Sequence, residues 1–244
     1  MENRPVLTFF GRTIPVDIKE KFEMWHEGAY VPIYLKTPGI KGIDSYKIVR
    51  KNINLPDVIG FWHGDNFENL KKRQSTDQNI SAINRDLHIT FRNIEYFWRN
   101  SYELIRSFRS SGVPTEDTIV DDAPVIHIEG YKIPANEYEK YESWFIKWAS
   151  RIYVPMLLRV SGVKACNFFR LLDYKSPNWA NDPVIEKDMP RYMSIIYFDN
   201  LKSEEGFQQS LDFAAFRGSL ELGFPATLKT VWDTEYQLFS SHRP

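Results

Sequence analysis

Two residue pairs at i, i+2 spacing could do acid–base chemistry: His127 with Glu129, and Asp86 with His88. Residues two apart on a strand share a face. A carboxylate beside an imidazole orients the ring and favours its charged form, which suits proton transfer. Tyr30 and Tyr153 form a second group, because each opens a Tyr-Val-Pro triplet. A proline deprives a helix of a backbone hydrogen bond, so these tyrosines are expected to turn toward a cavity and offer a hydroxyl to a ligand oxygen. With an ordinary pKa of about 10, such a tyrosine donates near neutral pH and does not serve as a base. Trp25-His26 precedes the first triplet, and Trp62-His63 lies in the Gly-flanked run Gly60–Asp65, which reads either as a lid loop or as residues that plug the barrel mouth or pack on the neighbouring helix. The expected catalytic residues are therefore His127, Glu129, His88, Tyr30 and Tyr153. Trp25, His26, Trp62, His63 and Asp86 are the expected ligand-binding residues.

Other chemistries lack support. The five histidines are scattered at 26, 63, 88, 127 and 242, and no Cys-x-x-Cys or His-Glu-x-x-His occurs, so no metal site is expected. Haem would need an axial ligand, and only His127 and His242 lie in the C-terminal half. No Gly-x-Gly-x-x-Gly, phosphate loop or nucleophile elbow is present. No cofactor is expected. With 31 basic and 32 acidic residues the net charge is −1, which argues against tracking a phosphate backbone. The N-terminus lacks an apolar leader and no apolar run reaches the length of a span. A single cysteine, Cys166, fits a reducing compartment. A cytoplasmic protein with neither nucleic-acid nor membrane partners is expected.

The elements that must position these residues occur twice. Val6–Trp25 lies over Val125–Trp144 with eight of 20 positions identical, and Tyr30–Tyr46 over Tyr153–Phe169 with six of 17. The offset grows by four between the two stretches, about one helical turn inserted in the second copy. Each copy reads as a strand (Val6–Gly11, Val125–Gly130), then an amphipathic helix broken at Pro32 or Pro155 and ended by Gly39 or Gly162. Strands follow over Ile40–Val49 and Val163–Leu172, then over Asp86–Asn93 and Arg191–Asn200. The second helix spans Ile94–Arg109 in one copy and begins near an N-cap at Ser203 in the other. Last strands fall at Thr118–Asp122 and Thr227–Phe239. Alternation predicts that Ile126 and Ile128, and likewise Leu87 and Ile89, lie under the helices, with His127, Glu129 and His88 opposite. The fold class is α+β. Two ferredoxin-like βαββαβ repeats, 1–115 with an insertion within 50–85 and 120–244, are expected to face their antiparallel sheets and form an intramolecular α/β barrel. Closing it needs no second chain, so a monomer or weak homo-oligomer is expected.

Trp25-His26-Glu27-Gly28-Ala29-Tyr30-Val31-Pro32 followed by Thr37-Pro38-Gly39-Ile40 resembles a signature of the EthD-like branch of the dimeric α/β-barrel superfamily. The second copy matches more loosely, through Tyr153-Val154-Pro155 and Ser161-Gly162-Val163. The resemblance implies a relation to cofactor-free monooxygenases, isomerases and haem enzymes of the chlorite dismutase type. Tyr30 and Tyr153 stand where that family has histidine. Two readings follow. One is a small-molecule-binding barrel enzyme, an isomerase, lyase or monooxygenase without a cofactor, acting on an apolar or aromatic compound. The other is a non-catalytic binding module that retains the fold.

Overall fold

The structure, a computed structural model, describes residues 4–50, 55–69, 78–109, 114–115, 123–172, 189–210, 214 and 229–244. Two compact units emerge: one from Met1–Glu103, Leu172–Asp188 and Phe239–Pro244, the other from Leu104–Leu171 and Met189–Leu238. In the first unit the order is β1 (Val6–Thr13), α1 (Lys19–Trp25), α2 (Val31–Leu35), β2 (Ile40–Ile48), β3 (Val58–Gly64), α3 (Gln78–Thr90) and β4 (Glu95–Arg109), whose last six residues belong to the second unit. A two-residue β5 (Pro114–Thr115) pairs with the end of β4. The second unit has β6 (Val125–Lys132), α4 (Tyr138–Trp148), α5 (Val154–Leu157), β7 (Val163–Leu171), β8 (Tyr192–Phe198), α6 (Leu201–Gln209) and β9 (Lys229–His242), whose last four residues belong to the first unit. Each unit is thus βαββαβ with an antiparallel sheet, ordered β2-β3-β1-β4 in one and β7-β8-β6-β9 in the other. Register shifts recur at matching places, Gly11/Arg12 and Gly130/Tyr131, and Ile40/Gly42 and Val163/Ala165. Among the described residues no helix is long and apolar enough to cross a membrane.

The proline triplets do not break their helices. They follow π-helical turns, His26–Tyr30 and Ala149–Tyr153, and the chain then resumes as α-helix with Pro near the first position. The Val31 N–H donates to His26 O and the Val154 N–H to Ala149 O, five residues back in both units. A proline ring collides with the carbonyl four residues before it, and a wider turn moves that carbonyl aside. Helix α4 has 11 residues against 7 in α1, the extra turn expected from the offsets. Gly39 (φ 86°) and Gly162 (φ 90°) follow these helices in the left-handed region, where glycine pays no Cβ penalty.

The central part of the first unit departs from expectation. Asp86–Thr90 closes helix α3 and forms no strand, and Glu95–Arg109 is strand β4 in place of a helix. Ile83, Leu87 and Phe91 are buried at four-residue spacing while Ile89 is 69% exposed. Over so short a window the alternation of Leu87, Ile89 and Phe91 fits either period, and packing selects the helical one. The aromatic-rich β4 satisfies its backbone by pairing with β1. Gly60–Gly64 is no lid loop but part of β3, between β1 and β2. The helix expected from Ser203 begins at Leu201, capped by Asn200, whose Oδ1 accepts from the Ser203 N–H at 2.9 Å. Thr118–Asp122 lies outside the described residues.

The helix-facing core of the first unit gathers Phe10, Tyr30, Tyr34, Ile43, Trp62 and Ile83. Gly60 lies opposite Phe10 in the β1–β3 ladder, and a Cβ there would sit 2.1 Å from Phe10 Cζ. Gly60→Ala should therefore destabilise the protein by about 1–3 kcal/mol through overpacking. Urea denaturation measures this, and the Phe10→Leu background should recover most of the loss.

Candidate functional site

Strands β2 and β3 bring together Asp44 and His63, and Arg243 joins them from the C-terminal end. Trp62 belongs to the helix-facing core, so His63, the next residue on the strand, points to the opposite face. Gly42 pairs with His63, which makes Asp44 its diagonal neighbour. His63 Nε2 lies 2.6 Å from Asp44 Oδ2, with His63 4% exposed and Asp44 fully buried. Arg243 clamps the same carboxylate, Nη1 donating to Oδ1 at 2.9 Å and Nη2 to Oδ2 at 3.1 Å. The guanidinium passes over Gly42, where a Cβ would lie 2.5 Å from Nη1. Burial alone would raise the Asp44 carboxyl. The hydrogen bond from His63, with those from Arg243 and Ser241 adding, brings it below its ordinary value. Asp44 is thus an anion that fixes the proton of His63 on Nε2. His63 Nδ1 is left buried without a hydrogen-bond partner, its lone pair available as a base. Phe9 stacks on Phe61 at 5.4 Å and Tyr46 tilts against Phe61 at 5.4 Å. By register these rings share the face of His63.

The first π-helical turn carries a second polar group. His26 Nδ1 is 3.2 Å from Glu27 Oε1, and His242 Nε2 is 2.6 Å from Glu27 Oε2. Ser240 donates to Glu27 Oε1 at 2.9 Å. Glu27 is held down to about 2, chiefly by the hydrogen bond from His26, with Ser240 and His242 adding. Burial lowers His26, whose ring lies between Phe22 and Tyr30 at 5.7 and 5.3 Å. Nearby, Trp25 Nε1 donates to Asp86 Oδ2 at 2.7 Å, so two expected binding residues do meet.

In the second unit His127 is completely buried, but not on the face expected. It packs edge-on to Phe207 of α6 at 6.0 Å, and its strand neighbour Val125 joins the core formed with Tyr153 and Phe207. The polar set of β6 therefore faces the helices, and Ile126 and Ile128 take the other side. Alternation defines two faces of a strand but does not say which one a helix will cover. Nδ1 of His127 is 3.3 Å from Glu204 Oε1, and Nε2 is 3.0 Å from Asp233 Oδ1 and 3.9 Å from Glu129 Oε1. Glu129 Oε2 accepts from the Tyr131 hydroxyl at 2.6 Å, and Glu204 Oε1 accepts from Gln208 Nε2 at 2.6 Å. Burial works to lower His127, but Asp233, Glu204 and Glu129 overcome it and raise the ring to about 10. The group is an imidazolium among carboxylates.

Tyr30 and Tyr153 sit in the layer between helix and sheet. Tyr30 contacts Trp25, Tyr34 and Trp62 at 5.2, 4.6 and 5.8 Å, and Tyr153 contacts Trp148 at 5.2 Å. The side chain of His88 lies outside the described residues. The sequence reading missed Asp44, Glu204, Asp233 and Glu235, because each meets its histidine through a strand or helix distant in the chain, and Arg243, which reaches Asp44 from the C-terminal end. Recognising β3 as a strand beside β2 would have exposed the Asp44–His63 diagonal. A proximal haem ligand offers Nε2 to iron and uses Nδ1 for its supporting bond. His63 and His242 direct Nε2 at a carboxylate and so do not fit that role.

No protein-family model matches the chain, and no curated protein matches it in sequence. Solved structures do resemble it. An anthrone oxidase-like protein superposes with a TM-score of 0.62 at 13% identity, over 99% of this chain and 94% of the other. A candidate monooxygenase of Fusobacterium nucleatum gives 0.59 at 9% identity, over 100% and 96%. Chlorite dismutase of Candidatus Nitrospira defluvii gives 0.52 at 10%, over 98% and 92%. At such identities these likenesses show the fold alone, which is α+β with βαββαβ units on antiparallel sheets, as expected from the sequence.

Proposed function

We propose that this chain binds a small, largely apolar or aromatic compound and takes a proton from it, with His63 as the base. The observation that carries this reading is the His63 ring, held through Nε2 by a buried Asp44 while a buried Nδ1 has no partner. Asp44 orients the ring and stabilises the imidazolium formed when Nδ1 gains the proton. Arg243 keeps Asp44 ionised. Phe9, Phe61 and Tyr46 supply aromatic surface on the same sheet face. Removing an acidic C–H or O–H proton is the opening step shared by isomerisation, elimination and the direct reaction of an aromatic anion with dioxygen. The resemblance to proteins described as oxidases and monooxygenases favours the last of these. In this reading His127, Glu129, Tyr30 and Tyr153 support the fold and are not proton-transfer groups.

A panel of hydroxylated aromatic compounds and their keto tautomers, screened for exchange of an acidic C–H proton with deuterated solvent and for dioxygen uptake, tests it. His63→Gln should lower the rate by about 10²–10⁴-fold, the usual worth of a positioned base. Turnover at the wild-type rate in that variant would refute the assignment. We also read the two units as tandem copies of one EthD-like unit. Their shared element order, π-helical turns, register shifts and positive-φ glycines support this.

A further inference from the structure

The register position of His127 differs between the units in a telling way. Val6 and Val125 open the matching strands β1 and β6, so Thr8 stands where His127 does. Thr8 faces Ser101 across the ladder, and the two hydroxyls meet at 3.0 Å. In the second unit that neutral pair is replaced by His127 opposite Glu235, with Glu204 arriving from α6. A sheet–helix layer does not need this charge, since the first unit fills the same place with two small hydroxyls.

We propose that His127, Glu204 and Glu235 form a binding site for one divalent transition-metal ion. Each offers one ligand atom, and the three atoms lie within 4.8 Å of one another. The residues are respectively 0%, 0% and 5% exposed. Ligands held at about 2.0–2.2 Å from an ion stand roughly 3–3.6 Å apart, so a contraction of about 1 Å assembles the site. One oxygen of Glu204, Oε2, is buried with no hydrogen-bond partner, and a buried carboxylate oxygen without a partner is costly until a proton or a cation reaches it. Glu129 and Asp233 stand on the other side of the ring and supply the outer carboxylates that commonly orient a ligating histidine. Without metal, the imidazolium is the cation these carboxylates hold. With metal, the ion becomes that cation and the neutral ring becomes its ligand. One nitrogen and two carboxylates suit Mn(II), Fe(II) or Zn(II) better than Ca(II), which prefers oxygen alone. Three ligands from β6, α6 and β9 would pin the helix to its sheet, a structural role independent of His63.

Untagged, EDTA-stripped full-length protein titrated calorimetrically with Zn²⁺, and separately with Mn²⁺, provides the test. The expected result is one site per chain and a raised melting temperature. Glu235→Gln and Glu204→Gln should each weaken binding by about 10-fold or more, while His26→Gln leaves it unchanged. Should either glutamine variant fail to fold, ¹⁵N shifts of the His127 ring in the wild-type protein report the same site on addition of Zn²⁺. Absence of binding by both ions overturns the proposal. So does binding that neither glutamine variant weakens, or that leaves the His127 ring shifts unmoved. Neither outcome touches His63, whose proton-transfer assay is read in metal-free protein.

Discussion

In metal-free protein, His127→Ala lowers the free energy of unfolding by about 3–5 kcal/mol at neutral pH, the range for removing one partner of a buried charge group. The ring is fully buried and lies among Glu204, Asp233 and Glu129. Its loss leaves carboxylates under α6 without the cation beside them. The pH dependence has a definite sign. A histidine whose folded value is about 10, against an unfolded value of 6.5, contributes its full stabilisation below pH 6.5. That contribution fades as the pH rises through 10. The gap between wild type and His127→Ala should therefore be widest at pH 6 and narrow steadily toward pH 10. Urea denaturation of both proteins across that range measures it. A loss under 1 kcal/mol at pH 6, or one that widens with pH, contradicts the assigned charge.

Asp44→Asn is expected to slow proton transfer by about 10²–10⁴-fold, nearly as much as losing His63 itself. The two side chains have almost the same shape, so the effect rests on hydrogen-bond polarity. The carboxylate can only accept, and it keeps the proton of His63 on Nε2. An asparagine amide can donate to Nε2 instead. The ring proton then moves to Nδ1 and caps the lone pair that the reaction needs. Nitrogen-15 spectra of His63 should show the Nε2–H tautomer in the wild type and the Nδ1–H tautomer in the variant. An unchanged tautomer together with an unchanged rate would remove Asp44 from the mechanism. Arg243 is partly exposed and can turn to water when the carboxylate is lost, so the cost in stability should stay near 1–3 kcal/mol.

Much of the architecture follows from short-range rules that the chain states twice. Glycines needing positive φ close the first helices, the triplets ending in Pro32 and Pro155 mark the turns, and β-prone runs after Gly39 and Gly162 become β2 and β7. These signals are local, so a linear reading finds them. The failures share one cause. Between Gly60 and Arg109 the periods of helix and strand overlap over few residues, and only pairing with β1 and packing of Ile83, Leu87 and Phe91 decide between them. The histidines show the same division. Composition and spacing pointed to His127, Glu129 and His63 as chemically interesting. Which face of the sheet each occupies, and which distant carboxylate meets it, depended on where the helices settle. His127 went beneath α6 and His63 to the side away from Trp62. Asp44, Glu204 and Arg243 became partners because strand register and helix placement join residues 19, 77 and 199 positions apart, and no local rule of sequence encodes contacts of that range.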